Sequence, residues 1–99
     1  MEKKKIKLVT VTILERKLYD ETEMALTFKI SGGFLTIAKS QVFNFEKIVT
    51  WFPSWNGRYS ARAFKFMIPL WLYEKNINKF NKLGEMVIID NTHKGFKLH

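Results

Sequence analysis

Trp51, Trp55, Arg58, Tyr59, Arg62 and Lys65 fall close together, in a stretch that carries no acidic residue from Lys47 to Tyr73. Flat π faces beside guanidinium groups are the combination that stacks on unpaired bases while neutralising phosphates. Trp, Tyr and Arg also dominate the centres of protein interfaces, so composition leaves RNA, single-stranded DNA and a protein partner open. Arg58, Ser60 and Arg62 alternate with Tyr59, Ala61 and Ala63. A strand here sets both arginines on one face, towards solvent or a partner. The aromatics have a competing use, because Trp51, Phe52 and Trp55 are bulky enough to plug the open end of a small β-barrel.

Catalytic chemistry is poorly supplied. The absence of cysteine excludes disulfides, thiolate nucleophiles, Cys-ligated zinc and iron–sulfur clusters. The histidines are His93 and His99, in the last seven residues, and no glycine-framed serine stands elsewhere to pair with them. Asp20 and Asp90 are the only aspartates, and no metal-ligand spacing is visible. Ser31-Gly32-Gly33 has no Gly-Lys-Ser/Thr element after it, so it is a turn rather than a phosphate cradle. A non-enzymatic protein without cofactor or metal is therefore expected. The remaining enzymatic reading is a metal-free ribonuclease built from Tyr, Lys and Glu.

What must position these residues is one small domain over residues 1–99, with short basic flexible ends at about 1–4 and 92–99. Seventeen Lys and Arg oppose nine Asp and Glu, a formal charge of +8 that draws phosphates, anionic membranes or acidic protein surfaces. The second half is the more basic, with eight bases against three acids, compared with nine against six in residues 1–50. No run approaches the roughly 18 apolar residues that a membrane span requires. The opening MEKKKIKLVTVTIL lacks a signal-peptide apolar segment, and with zero cysteine this predicts a cytoplasmic protein.

Period-2 alternation predicts a long strand from about Lys5 to Tyr19. In it Ile6 and Leu8 are out of phase with Val9, Val11 and Ile13, implying a bend near Leu8 or burial on both faces. After a polar turn at Asp20-Glu21-Thr22, Met24, Leu26, Phe28 and Ile30 mark a core strand. With Ser31-Gly32-Gly33 and Phe34–Ala38 it makes a hairpin over 23–39. Val42 to Ile48 is a less regular apolar stretch, expected as a short strand. Pro53, Ser54, Asn56 and Gly57 mark a loop or turn between Thr50 and Ser60, and Tyr59–Ile68 is the next strand. Pro69 opens a single helix near 69–83, with Leu70, Tyr73, Ile77 and Phe80 on its buried stripe, Trp71 closing it onto the sheet, and Gly84 ending it. Glu85–Asp90 is a last strand, and Asn91–His99 is a basic tail or a further edge strand through Phe96 and Leu98. The expected class is α+β, a small, mostly antiparallel β-barrel or roll of SH3-like or OB-like size with one helix.

Two short motifs add to this. Thr36-Ile37-Ala38-Lys39-Ser40-Gln41, followed after a spacer by Met67-Ile68-Pro69-Leu70-Trp71-Leu72-Tyr73-Glu74-Lys75, resembles a diffuse group of small phage and prophage accessory proteins. In that group a strand runs into Lys-Ser-Gln, and a later one into Ile-Pro-x-Trp-Leu-x-x-Lys. The resemblance covers residues 23–76. It departs from the group at Ala38, where proline is usual, and in the aromatic spacer Trp51–Tyr59, which replaces a shorter acidic stretch. It implies an accessory protein of a bacteriophage or mobile element, of the anti-CRISPR type. The expected function is inhibition of a host defence nucleoprotein, for instance a CRISPR effector or its guide RNA, in the host cytoplasm. The alternative is an autonomous RNA- or single-stranded-DNA-binding barrel. Lys39 and Gln41 of the first motif join Trp51, Trp55, Arg58, Tyr59, Arg62 and Lys65 as candidate contacts.

Overall fold

The computed structural model describes residues 5–90 and 96–97. The strands are β1 (Lys5–Ile6), β2 (Leu8–Leu14), β3 (Leu18–Glu21), β4 (Ala25–Ile30), β5 (Gly33–Ala38), β6 (Phe43–Ser54), β7 (Gly57–Pro69), β8 (Val87–Asp90) and β9 (Phe96–Lys97). Two short helices, α1 (Leu70–Lys75) and α2 (Ile77–Asn81), separate β7 from β8. The strands form a four-stranded sheet β6-β7-β2-β8, a three-stranded sheet β3-β4-β5 and the pair β1-β9. Every pairing is antiparallel. The α+β, mostly antiparallel expectation holds at this level. The expected flexible ends and both histidines lie outside the described residues, apart from Phe96–Lys97, where the further edge strand is found against β1.

No ladder among the described residues joins the two larger sheets, so they form an open arrangement rather than a closed barrel. Strand length explains this. β6 and β7 run 12 and 13 residues while β3, β4 and β5 run four to six, so the long hairpin projects beyond any strand that could close it. The long axis is accordingly 51 Å against 27 and 24 Å.

The main core lies between the two sheets, where Val9, Val11 and Ile13 of β2 and Phe64, Phe66 and Ile68 of β7 meet Leu26, Phe28, Ile30, Leu35 and Ile37. A second, smaller cluster of Leu14, Phe52 and Ala63 sits on the opposite face, with Ile48, Tyr59, Ala61 and Met86 around it. β2 is thus buried on both faces, and its chain breaks from β1 at Lys7, as the phase change near Leu8 implies. A 3₁₀ turn at Glu15–Lys17 interrupts the single strand expected to reach Tyr19.

The β4–β5 hairpin has the expected position, pairing Ala25 with Ala38 through to Ile30 with Gly33, and Gly32 supplies the one positive φ of its turn at 78°. Its entry differs. β3 extends through Glu21, and the turn falls at Thr22, whose hydroxyl oxygen accepts from the backbone N–H of Met24 and Ala25. Met24 is therefore lifted out of the core and is 77% exposed.

Two larger corrections follow from local competition. The loop or turn expected over 50–60 narrows to a two-residue turn at Trp55-Asn56 within a continuous hairpin, with β6 running to Ser54 and β7 starting at Gly57. Pro53 is tolerated because β6 is an edge strand, where a missing N–H deprives no neighbour. The single helix is broken at Asn76, whose φ and ψ of −113° and 19° leave the helical region while its side-chain amide donates to the Leu72 carbonyl at 3.0 Å. The break turns Ile77 outward, leaving Tyr73, Phe80 and Leu83 as the buried residues. Trp71 is also outside the core, 56% exposed. No helix among the described residues is long and apolar enough to cross a membrane.

Candidate functional site

The β6–β7 hairpin changes face along its length. Even-numbered side chains of β7 are buried at Phe64, Phe66 and Ile68, whereas Arg58, Ser60 and Arg62 on the same face are exposed. The strand has by then passed the end of β3-β4-β5, and its other face, with Tyr59, Ala61 and Ala63, packs into the smaller cluster instead. Directly paired residues share a face, so Val49 opposite Arg62, Trp51 opposite Ser60 and Pro53 opposite Arg58 complete the exposed surface. Lys47, two residues before Val49, begins it.

On this surface Val49 is 69% exposed and Trp51 55%, and Trp55 at the turn is 93% exposed. The Arg58 guanidinium carbon lies 5.4 Å from the centroid of the Trp51 ring. That is within cation–π range and holds the guanidinium plane beside a π face. Of the three aromatics weighed as a barrel plug only Phe52 is buried, in the smaller cluster of the open fold, where its ring stacks on Tyr59 with centroids 6.0 Å apart. The tryptophans stand in solvent.

No family model, curated protein or solved structure matches this chain. The reading of the site accordingly rests on its geometry.

The structure brings together Trp51, Arg58 and Arg62, with Trp55 at the tip, and separates the other candidates. Tyr59 faces the smaller cluster. Lys65 is on the face opposite Arg62, paired with Glu46 across the ladder and lining a groove of about 410 Å³ with Thr10, Asn44 and Met67. Lys39 and Gln41 stand at the foot of β6, and the twelve residues of that strand set them about 36 Å from the tip at a rise of ~3.3 Å. Gln41 there lines a groove with Lys7, Phe43 and Trp71, so residues from both short motifs meet at the hairpin base. Lys47 and Val49 are the members the sequence reading leaves out. Their alternation with Ile48 and Thr50 is the signal, visible once 43–54 is taken as one strand.

Lys39 is already engaged. Its ammonium donates to a Glu21 carboxylate oxygen at 2.7 Å. This hydrogen bond first, then the charge of Lys39, holds the Glu21 carboxyl below its usual range against an opposing effect of desolvation, with the charge of Lys47 the least of the causes. Because the folded-state value is lowered, the pair favours the fold above the ordinary glutamate range, and that contribution is lost as pH falls through the lowered value. Lys39→Ala is expected to return the Glu21 titration, followed by NMR, to the ordinary glutamate range. An unchanged titration shows that the pair does not persist in solution.

Among the described residues no three His, Cys, Asp or Glu side chains are grouped to hold a metal.

Proposed function

We propose that this chain is a non-enzymatic accessory protein, of the kind carried by phages and mobile elements, that docks on a host defence nucleoprotein and blocks it. The observation that carries the reading is the projecting arm, on which Trp51 and Trp55 stand exposed beside Arg58 and Arg62, beyond the stretch where the same face packs into the core. Exposed tryptophans otherwise cost solubility, and here they alternate with the cations that capture phosphates. A rigid hairpin can enter a groove that a flat sheet cannot, which suits an unpaired guide strand held in a protein channel. The formal charge of +8 draws the protein towards such a surface over long range.

A second reading, autonomous binding of single-stranded nucleic acid, is favoured by the Arg58–Trp51 cation–π pair, since it presents base-stacking and phosphate-binding groups together.

Capture from host lysate, with the bound protein identified by mass spectrometry and the bound RNA sequenced, tests the first reading. The wild type is expected to recover a ribonucleoprotein that the Arg58→Glu, Arg62→Glu variant does not. Recovery of free RNA alone, with a steep fall in affinity as salt rises, selects the second reading. Equal recovery by both forms removes the arm from either.

A further inference from the structure

β6 is the edge of its sheet, and among the described residues no strand pairs with its outer side. A long apolar edge strand is an open template for another strand, and proteins guard such edges with bulges, prolines and charges. Here the guards stand at the two ends. At one, Asn44 takes a φ of 53° and the register shifts between Phe43 and Glu46; at the other, Pro53 has no N–H to offer. Between them Glu46–Phe52 is unguarded except by the charges of Glu46 and Lys47.

The direction of the free backbone groups follows from the turn. A two-residue connection makes the closing pair, Ser54 with Gly57, hydrogen-bonded, and bonded and non-bonded pairs alternate from there. Phe52, Thr50 and Ile48 therefore spend their N–H and C=O groups on β7, while Trp51, Val49 and Lys47 aim theirs outward.

We propose that a second copy of this chain pairs with β6 edge to edge, antiparallel, about a two-fold axis through Val49. The open segment Glu46–Phe52 is symmetric about Val49, so this register uses all of it. Each outward-aimed residue then meets another: Val49 faces its own equivalent, and Lys47 faces the second copy's Trp51 in both directions. An ammonium over an indole on each side replaces the lysine-on-lysine clash that a register centred on Lys47 produces. An antiparallel two-fold lies normal to the sheet and preserves its faces. The two four-stranded sheets become one, with Arg58, Arg62 and Trp51 of both copies on the same side. This assembly goes beyond the binding reading and stands or falls separately from it.

Sedimentation equilibrium of the full chain, from micromolar to millimolar concentration, tests it. The wild type is expected to dimerise, more strongly as moderate salt screens two copies of charge +8. Val49→Pro deletes the N–H at the two-fold centre of each copy, on the side away from β7. It should weaken the dimer at least about tenfold, with the melting temperature within a few degrees. Should the proline variant unfold, Val49→Lys keeps the backbone and opposes two ammonium groups at the same point, with the same expected loss. Arg58→Glu with Arg62→Glu leaves the dimer intact, which separates loss of assembly from loss of binding. A wild type that stays monomeric at every concentration overturns the proposal, and so does dimerisation of the folded variants at wild-type strength.

Discussion

Phe28→Ala is expected to lower the unfolding free energy by about 3 to 5 kcal/mol, a large share of what a domain of this size possesses. Phe28 is fully buried on β4, and its ring centroid lies 6.4 Å from that of Phe64 and 6.3 Å from that of Phe66, both on β7. Its ring bridges the two sheets at the middle of the core, and neither sheet can collapse into the space without carrying its whole ladder along. Denaturant unfolding monitored by far-ultraviolet circular dichroism provides the measurement, with the midpoint falling and the slope unchanged. Ile77→Ala, by contrast, should stay within about 0.5 kcal/mol, because Ile77 is 41% exposed beyond the helix break. Equal losses for the two variants contradict the packing described.

The second large effect is on binding. Trp55→Ala is expected to cost at least about 2 kcal/mol of affinity, roughly thirtyfold, for the nucleoprotein captured by the wild type. The melting temperature should not move, since 93% exposure means that folding gains almost nothing from this side chain. Arg58→Glu with Arg62→Glu should abolish binding, because it removes two cations, installs two anions facing phosphate, and leaves Trp51 without its guanidinium neighbour. Exposed charges contribute little to folding, so this variant too should melt within a few degrees of wild type. A variant that binds at full strength moves the site to the groove at the hairpin base, lined by Lys7, Gln41, Phe43 and Trp71.

The sequence exposes what depends on local period. The β4–β5 hairpin was legible because Leu26, Phe28 and Ile30 alternate cleanly and Ser31-Gly32 can turn. The shared face of Arg58 and Arg62 was legible for the same reason. The long arm is hidden because Pro53 argues against a strand in any local pattern, whereas what admits it is that β6 has no neighbour on one side, a fact of topology. The exposure of Trp71 and Ile77 is not legible in the sequence, because helical phase continues through Asn76 in any periodic pattern, and a single side chain that bonds back to Leu72 resets it. Lys65 was grouped with the arginines by nearness in sequence, although three residues along a strand end on opposite faces.

The smaller cluster around Leu14, Phe52 and Ala63 has a bearing on how fast a ligand is met. A hairpin that leaves the body of a small protein without support loses its shape between collisions, and each encounter must wait for it to reform. Here the arm is stiffened from behind by Phe52 and Tyr59, on the face that carries no contacts, so its working surface keeps its form before anything arrives. Little ordering entropy is then left to be lost on docking. If the arm docks as proposed, association is set by charge-guided diffusion, and the lifetime of the complex is the quantity that changes at Trp51, Trp55, Arg58 and Arg62 tune.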